Sequence, residues 1–80
     1  MKIIKFYSDS CSPCKVIDNN LKKAGIEYIS INVNDDNNYP IVEKYKIKSI
    51  PTIVKEKDNI EIDRYTGIMT VEQLKNWCKN

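Results

Sequence analysis

Lys2-Ile3-Ile4-Lys5-Phe6-Tyr7-Ser8-Asp9-Ser10-Cys11-Ser12-Pro13-Cys14-Lys15 changes character halfway along its length. Up to Tyr7 it is nearly continuously apolar, as a strand covered on both faces requires, and Ser8-Asp9-Ser10 breaks the run. From Ser12 to Ala24 the apolar residues Val16, Ile17, Leu21 and Ala24 fall near helical spacing. Pro13 is tolerated in a first turn, Lys22 and Lys23 suit the negative end of a helix, and Gly25 supplies the stop. The two cysteines therefore sit where a strand hands over to a helix. Spaced three apart, they lie on one side of the first turn and can form a disulfide if Cys11 keeps a non-helical cap conformation.

Downstream, Ile26 to Val33 alternates, with Ile29, Ile31 and Val33 on one face, and predicts a second strand. Strand, helix, strand implies parallel pairing through a right-handed crossover. The polar run Asn34-Asp35-Asp36-Asn37-Asn38 predicts a loop, and Ile41, Val42 and Tyr45 a short helix opened by Pro40. Thr52 to Glu56 and Ile60 to Tyr65 predict two strands joined by a tight hairpin at Asp58-Asn59. Gly67 ends the last strand, and Thr70 with Gln73 writes a capping box before the helix of Val71, Leu74 and Trp77. The order is βαβαββα, an α/β arrangement expected to form a single domain over residues 1–80.

Eighty residues, 41% apolar and 30% charged, fit one small core. A chain of this size buries only roughly 60% of its unfolded surface, so a deep substrate cavity is excluded and the chemistry belongs at the surface. Thirteen basic and 11 acidic side chains are interspersed for a net charge of +2, so neither nucleic acid nor a membrane is an expected partner. No apolar stretch approaches the roughly 18 residues of a membrane span, and Met1-Lys2-Ile3-Ile4-Lys5 is too short for a signal peptide; a cytoplasmic location is expected. The chain has no histidine, which removes the usual base of hydrolytic triads and the commonest nitrogen ligand of zinc. Beyond the pair only Cys78 remains, too few ligands for a metal, and no cofactor is expected.

Cys11 would face the positive end of the helix dipole and the free amides of the first turn, both of which favour thiolate. Bringing a cysteine from about 8.5 to roughly 7 takes about 2 kcal/mol. An exposed dipole supplies about 0.3 to 1 kcal/mol and a partly buried one up to about 2, so hydrogen bonds to the sulfur are expected to contribute as well. The expected chemistry is attack by Cys11 on a substrate disulfide, followed by displacement of the substrate by Cys14.

Phe6-Tyr7-Ser8-Asp9-Ser10-Cys11-Ser12-Pro13-Cys14-Lys15 resembles the active-site stretch of the thioredoxins, with a proline between the cysteines and a lysine after them. Pro40 through Tyr45-Lys46-Ile47-Lys48-Ser49-Ile50-Pro51-Thr52 resembles the approach to that family's cis-proline, and Thr66-Gly67 to Leu74 its glycine and last helix. The resemblance implies a thioredoxin fold, a four-stranded mixed sheet flanked by three helices, over nearly the whole chain. It also implies that Pro51 is cis and that the backbone of Ile50 pairs with an extended substrate segment beside Cys11. The implied activity is thiol-disulfide exchange by a monomer that reduces disulfide-containing proteins and is itself reduced by a thioredoxin-reductase-type flavoenzyme. The short length resembles the glutaredoxins instead, whose donor is glutathione, yet Thr66-Gly67-Ile68-Met69-Thr70 lacks their paired glycines and following acidic residue. A third alternative is a binding module of the same fold without essential redox turnover.

The sequence departs from the thioredoxin pattern at Ser10, where a tryptophan is usual, at Ser12, where a glycine is usual, and at Lys5, where a buried aspartate normally lies beneath the site. Tyr7, Asp9 and Ser10 are candidate substrate contacts, and Asp9 would oppose the Cys11 thiolate by like-charge repulsion. Lys5 shares a strand face with Ile3 and Tyr7. An ammonium group there would favour an ionised Cys14 if it points at the site, and a desolvated amine could act as a base. Alternatively its stem covers the sheet while the charge snorkels to water. Cys78, four residues after Leu74, is expected to be a small, partly buried apolar residue.

Overall fold

In the computed structural model, which describes residues 1–79, the chain runs β1 (Lys2–Tyr7), α1 (Ser12–Lys23), β2 (Ile29–Asn32), a 3-10 turn (Asp36–Asn38), α2 (Tyr39–Tyr45), β3 (Thr52–Lys57), β4 (Ile60–Thr66) and α3 (Val71–Lys79). The sheet order is β2-β1-β3-β4, with β1 and β2 parallel and the two remaining pairings antiparallel. This is the mixed four-stranded sheet that the sequence implied.

β1 has a strand on each side, and Ile3, Ile4, Lys5 and Phe6 are all buried. Its residues alternate between two cores. Ile4 and Phe6 join Val54 and Tyr45, with Ile31, Val33, Ile47 and Ile50 packed around them beneath α2. On the opposite face Ile53, the partner of Lys5 in the sheet, packs with Ile17 and Leu21 of α1 and with Met69 and Leu74. Lys5 therefore points toward α1.

Three expectations are corrected. β2 covers only residues 29–32 of the alternating run; Ile26 and Tyr28 pack against the α1 core without joining the sheet, and Ile29 is 46% exposed. With only seven residues, α2 does not close over that end of the edge strand, and Ile29 borders an open groove with Ile41 and Lys44. Val16 is exposed, because the buried face of α1 is the one that carries Cys14, Ile17 and Leu21, and Val16 turns away from it. The polar run 34–38 is partly helical, opened by the Asp35 carboxylate accepting from the Asn37 amide at 3.0 Å.

The local signals otherwise hold. Asp58 and Asn59, at φ 54° and 65°, make the two-residue hairpin between Lys57 and Ile60. In the capping box the Gln73 amide donates to Thr70 Oγ1 at 3.1 Å, and Gln73 Oε1 accepts from the Thr70 amide at 2.9 Å.

Candidate active site

Cys11 leaves the end of β1 as the N-cap of α1, in extended conformation at φ −95° and ψ 104°. That cap sets its sulfur before the free amides of the first turn: the Cys14 N–H donates to Cys11 Sγ at 3.1 Å. No acidic residue stands in the first turn of α1 to offset the positive helix end. The two sulfurs form a disulfide, with the Cα atoms 5.2 Å apart. Cys11 is half-buried, whereas Cys14 is 2% exposed. One sulfur is therefore presented to an incoming molecule and the other is shielded behind it.

The segment before β3 closes the same end of the sheet. Phe6 pairs with Thr52, so the cis Ile50–Pro51 peptide lies beside the point where the chain turns toward Cys11. Thr52 Oγ1 donates to the Ser49 carbonyl at 2.6 Å, and the Pro51 carbonyl accepts from the Gly67 amide at 2.9 Å. Pro51 is buried, and Ile50 packs partly into the α2 core.

Tyr7, Asp9, Cys14, Lys5 and Asp18 line an open cleft of about 350 Å³ beside the disulfide. Tyr7 is half-buried, Ser10 is exposed with its hydroxyl 3.4 Å from that of Ser8, and the Asn32 side-chain amide reaches Asp9 at 3.5 Å. The snorkelling alternative for Lys5 is overturned. The residue is 5% exposed, and its Nζ donates to Asp18 Oδ1 at 2.5 Å, 4.7 Å from the centre of the Tyr7 ring and 5.2 Å from that of Tyr28.

Asp18 did not emerge from the sequence. It lies four residues after Cys14 on the same helix face, and a lysine on a central strand calls for a counter-ion; together these two signals point to it. The same oxygen accepts the Tyr28 hydroxyl, and Lys22 lies 3.1 Å from the other oxygen. The hydrogen bond from Lys5, then that from Tyr28, hold the Asp18 carboxyl well below the usual carboxylate range, against the opposing effect of burial. Burial and the bond to Asp18 push Tyr28 up to about 12.

Cys78 lies on α3, half-buried, and burial pushes its thiol up while Lys55 pulls it the other way. A thiol so placed is a poor nucleophile. Cys78→Ala is expected to retain at least about four-fifths of the disulfide-reducing activity, a cost in stability aside. Loss of most activity by a folded variant would contradict this.

The family model described as thioredoxin matches residues 1–80. A thioredoxin of Chlamydia caviae is 33% identical over 75 residues, spanning 90% of this chain and 74% of that protein. A thioredoxin of Chlamydia pneumoniae is 31% identical over 77 residues, spanning 92% and 76%. Among solved structures, thioredoxin 1 from Thermosipho africanus superimposes with a TM-score of 0.74 at 26% identity, covering 99% of this chain and 91% of the other.

Proposed function

The chain belongs to the thioredoxin family and is a thiol-disulfide oxidoreductase, and from that premise we propose that it works as a protein disulfide reductase in which Cys11 attacks and Cys14 resolves. The observation that supports these roles is the contrast between a half-buried Cys11, capped by the Cys14 amide at 3.1 Å, and a Cys14 that is 2% exposed. Pro51 and the Ile50 backbone are the proposed substrate platform, with Tyr7 and Ser10 at its rim. Asp9 is proposed to temper the Cys11 thiolate by its negative charge. Turnover of insulin disulfides tests the activity, since a binding module would show no rate above dithiothreitol alone.

Thioredoxins as a family act on disulfide substrates and are served by thioredoxin reductase, and we assign this chain the same class of donor. The turn 66–70 supports the choice over glutathione. Met69 in that turn is 5% exposed in the core, and its carbonyl accepts from the Asn20 side-chain amide at 2.9 Å. The turn carries no charged side chain to hold the charged ends of glutathione. The oxidised protein is expected to be reduced by NADPH with a thioredoxin reductase at least about tenfold faster than by millimolar glutathione at neutral pH. Rapid, saturable reduction by glutathione with no response to the reductase would reverse the assignment. No helix among the described residues is long and apolar enough to cross a membrane; the proposed location is the cytoplasm.

A further inference from the structure

The buried cation beside the cysteines rests on this chain's own residues. Every group that faces Lys5 can be named. On β1 the Tyr7 ring lies beside its Nζ, from α1 come Asp18 and, behind it, Lys22, and from the segment before β2 comes Tyr28. β3 contributes the apolar Ile53 and, two residues along the same face, the buried Lys55, whose Nζ donates to the Trp77 carbonyl at 2.5 Å, and Ser8, Asp9, Cys14, Lys15 and Asn19 complete the cleft. A lysine left to itself would swing its flexible stem toward water. Here one carboxylate oxygen takes both the ammonium and the Tyr28 hydroxyl, so the carboxylate cannot rotate without breaking one of the two bonds.

We propose that Asp18 and Tyr28 are positioning residues for the resolving step, pinning the Lys5 ammonium in the cleft bordered by Cys14 as a fixed positive charge that favours the Cys14 thiolate. The proposal rests on the assignment of Cys14 as the resolving thiol. In that step the Cys14 thiolate attacks Cys11 Sγ of the mixed disulfide. The Cys11–Cys14 bond forms as the Cys11–substrate bond breaks, and the substrate sulfur leaves with the electron pair and takes a proton from water. The proton lost by Cys14 passes to water in the cleft, and neither Lys5 nor Asp18 receives it. Two enzyme thiols are oxidised and one substrate disulfide is reduced to two thiols. The opposing charge of Asp18 does not cancel the effect. The Lys5 side chain is 6% exposed, whereas that of Asp18 is 25% exposed and shared with Lys22, so the field of the carboxylate is the more strongly screened.

The test titrates Cys14 alone, by its 13Cβ chemical shift, in the Cys11→Ser, Cys78→Ala chain. Adding Lys5→Met is expected to raise the Cys14 pKa by about one unit, and Lys5→Arg, which keeps the charge, to restore most of it. Asp18→Ala is expected to raise it too, by releasing Lys5, and to add nothing once Lys5 is methionine. A carboxylate that merely stood nearby would give the reverse sign, since removing its negative charge would lower the Cys14 pKa, and that result overturns the proposal. Should Asp18→Ala fail to fold, Tyr28→Phe removes one hydrogen bond and no charge. It is expected to raise the value in the same direction by a smaller amount, and an unchanged curve overturns the proposal. No substrate enters this measurement, so a wild-type chain unable to reduce insulin would sink the reductase assignment while leaving the titration to stand or fall separately.

Discussion

Cys11→Ser is expected to lower insulin reduction by at least about a thousandfold, to the background of dithiothreitol alone, whereas Cys14→Ser stalls after a single capture. The asymmetry follows from the first turn of α1. A thiolate at Cys11 receives the Cys14 amide along the line already present at 3.1 Å, at the helix end where negative charge is favoured. Cys14, 2% exposed, has no comparable access to a protein substrate. Cys14→Ser should therefore accumulate a mixed disulfide through Cys11, seen by mass spectrometry as the summed mass of protein and substrate. Cys11→Ser should form no such adduct. Alkylation is the second readout: in the reduced wild type, iodoacetamide is expected to label Cys11 at least about tenfold faster than Cys14 or Cys78. If Cys14 were labelled first, the two roles would have to be exchanged.

The fold was legible because its signals are local. The apolar run of β1, the stop at Gly25, the Asp58-Asn59 hairpin and the Thr70-Gln73 box each depend on a few neighbouring residues, and each holds. The alternation in 26–33 overstates β2 because it marks burial on one face, and Ile26 and Tyr28 meet that need by packing on the α1 core outside the sheet. Cys11 and Cys14 were legible for the same local reason, since three residues of spacing at a helix start fix their geometry. Lys5 and Asp18 are not legible as a pair because 13 residues separate them, and their 2.5 Å contact exists only once α1 lies across β1. Asp18 alone is an ordinary helix carboxylate, and only the burial of its partner gives it a role. The inversion of charge at this site, with the cation on the strand and the carboxylate on the helix, is thus a tertiary fact with two sequence traces: an isolated lysine inside an apolar strand and a carboxylate four residues after Cys14.

Phe6→Ala is expected to bring the protein close to its unfolding threshold while leaving the exposed half of the sheet indifferent to the same kind of change. Phe6 is 0% exposed on the central strand, and its ring stands 5.6 Å from that of Tyr45 at a tilt of 56°. Removing a buried phenylalanine costs about 3–5 kcal/mol, from lost burial and the cavity left behind. A domain of this size has roughly 4–12 kcal/mol in all, so the loss takes a large share of it. Since 1 kcal/mol shifts the midpoint of such a domain by about 4–8 °C, thermal unfolding followed by circular dichroism should move down by about 12–40 °C. Ile62→Ala on β4, where the side chain is 48% exposed, should cost no more than about 0.5 kcal/mol. The comparison also bears on the site, because β1 turns Phe6 to the α2 core and Lys5 to the α1 face. If Phe6 acts only through packing, reductase activity should decline with temperature along the unfolding curve of the variant. Activity lost well below that curve would place Phe6 in the positioning of Lys5 and the cysteines as well as in the core.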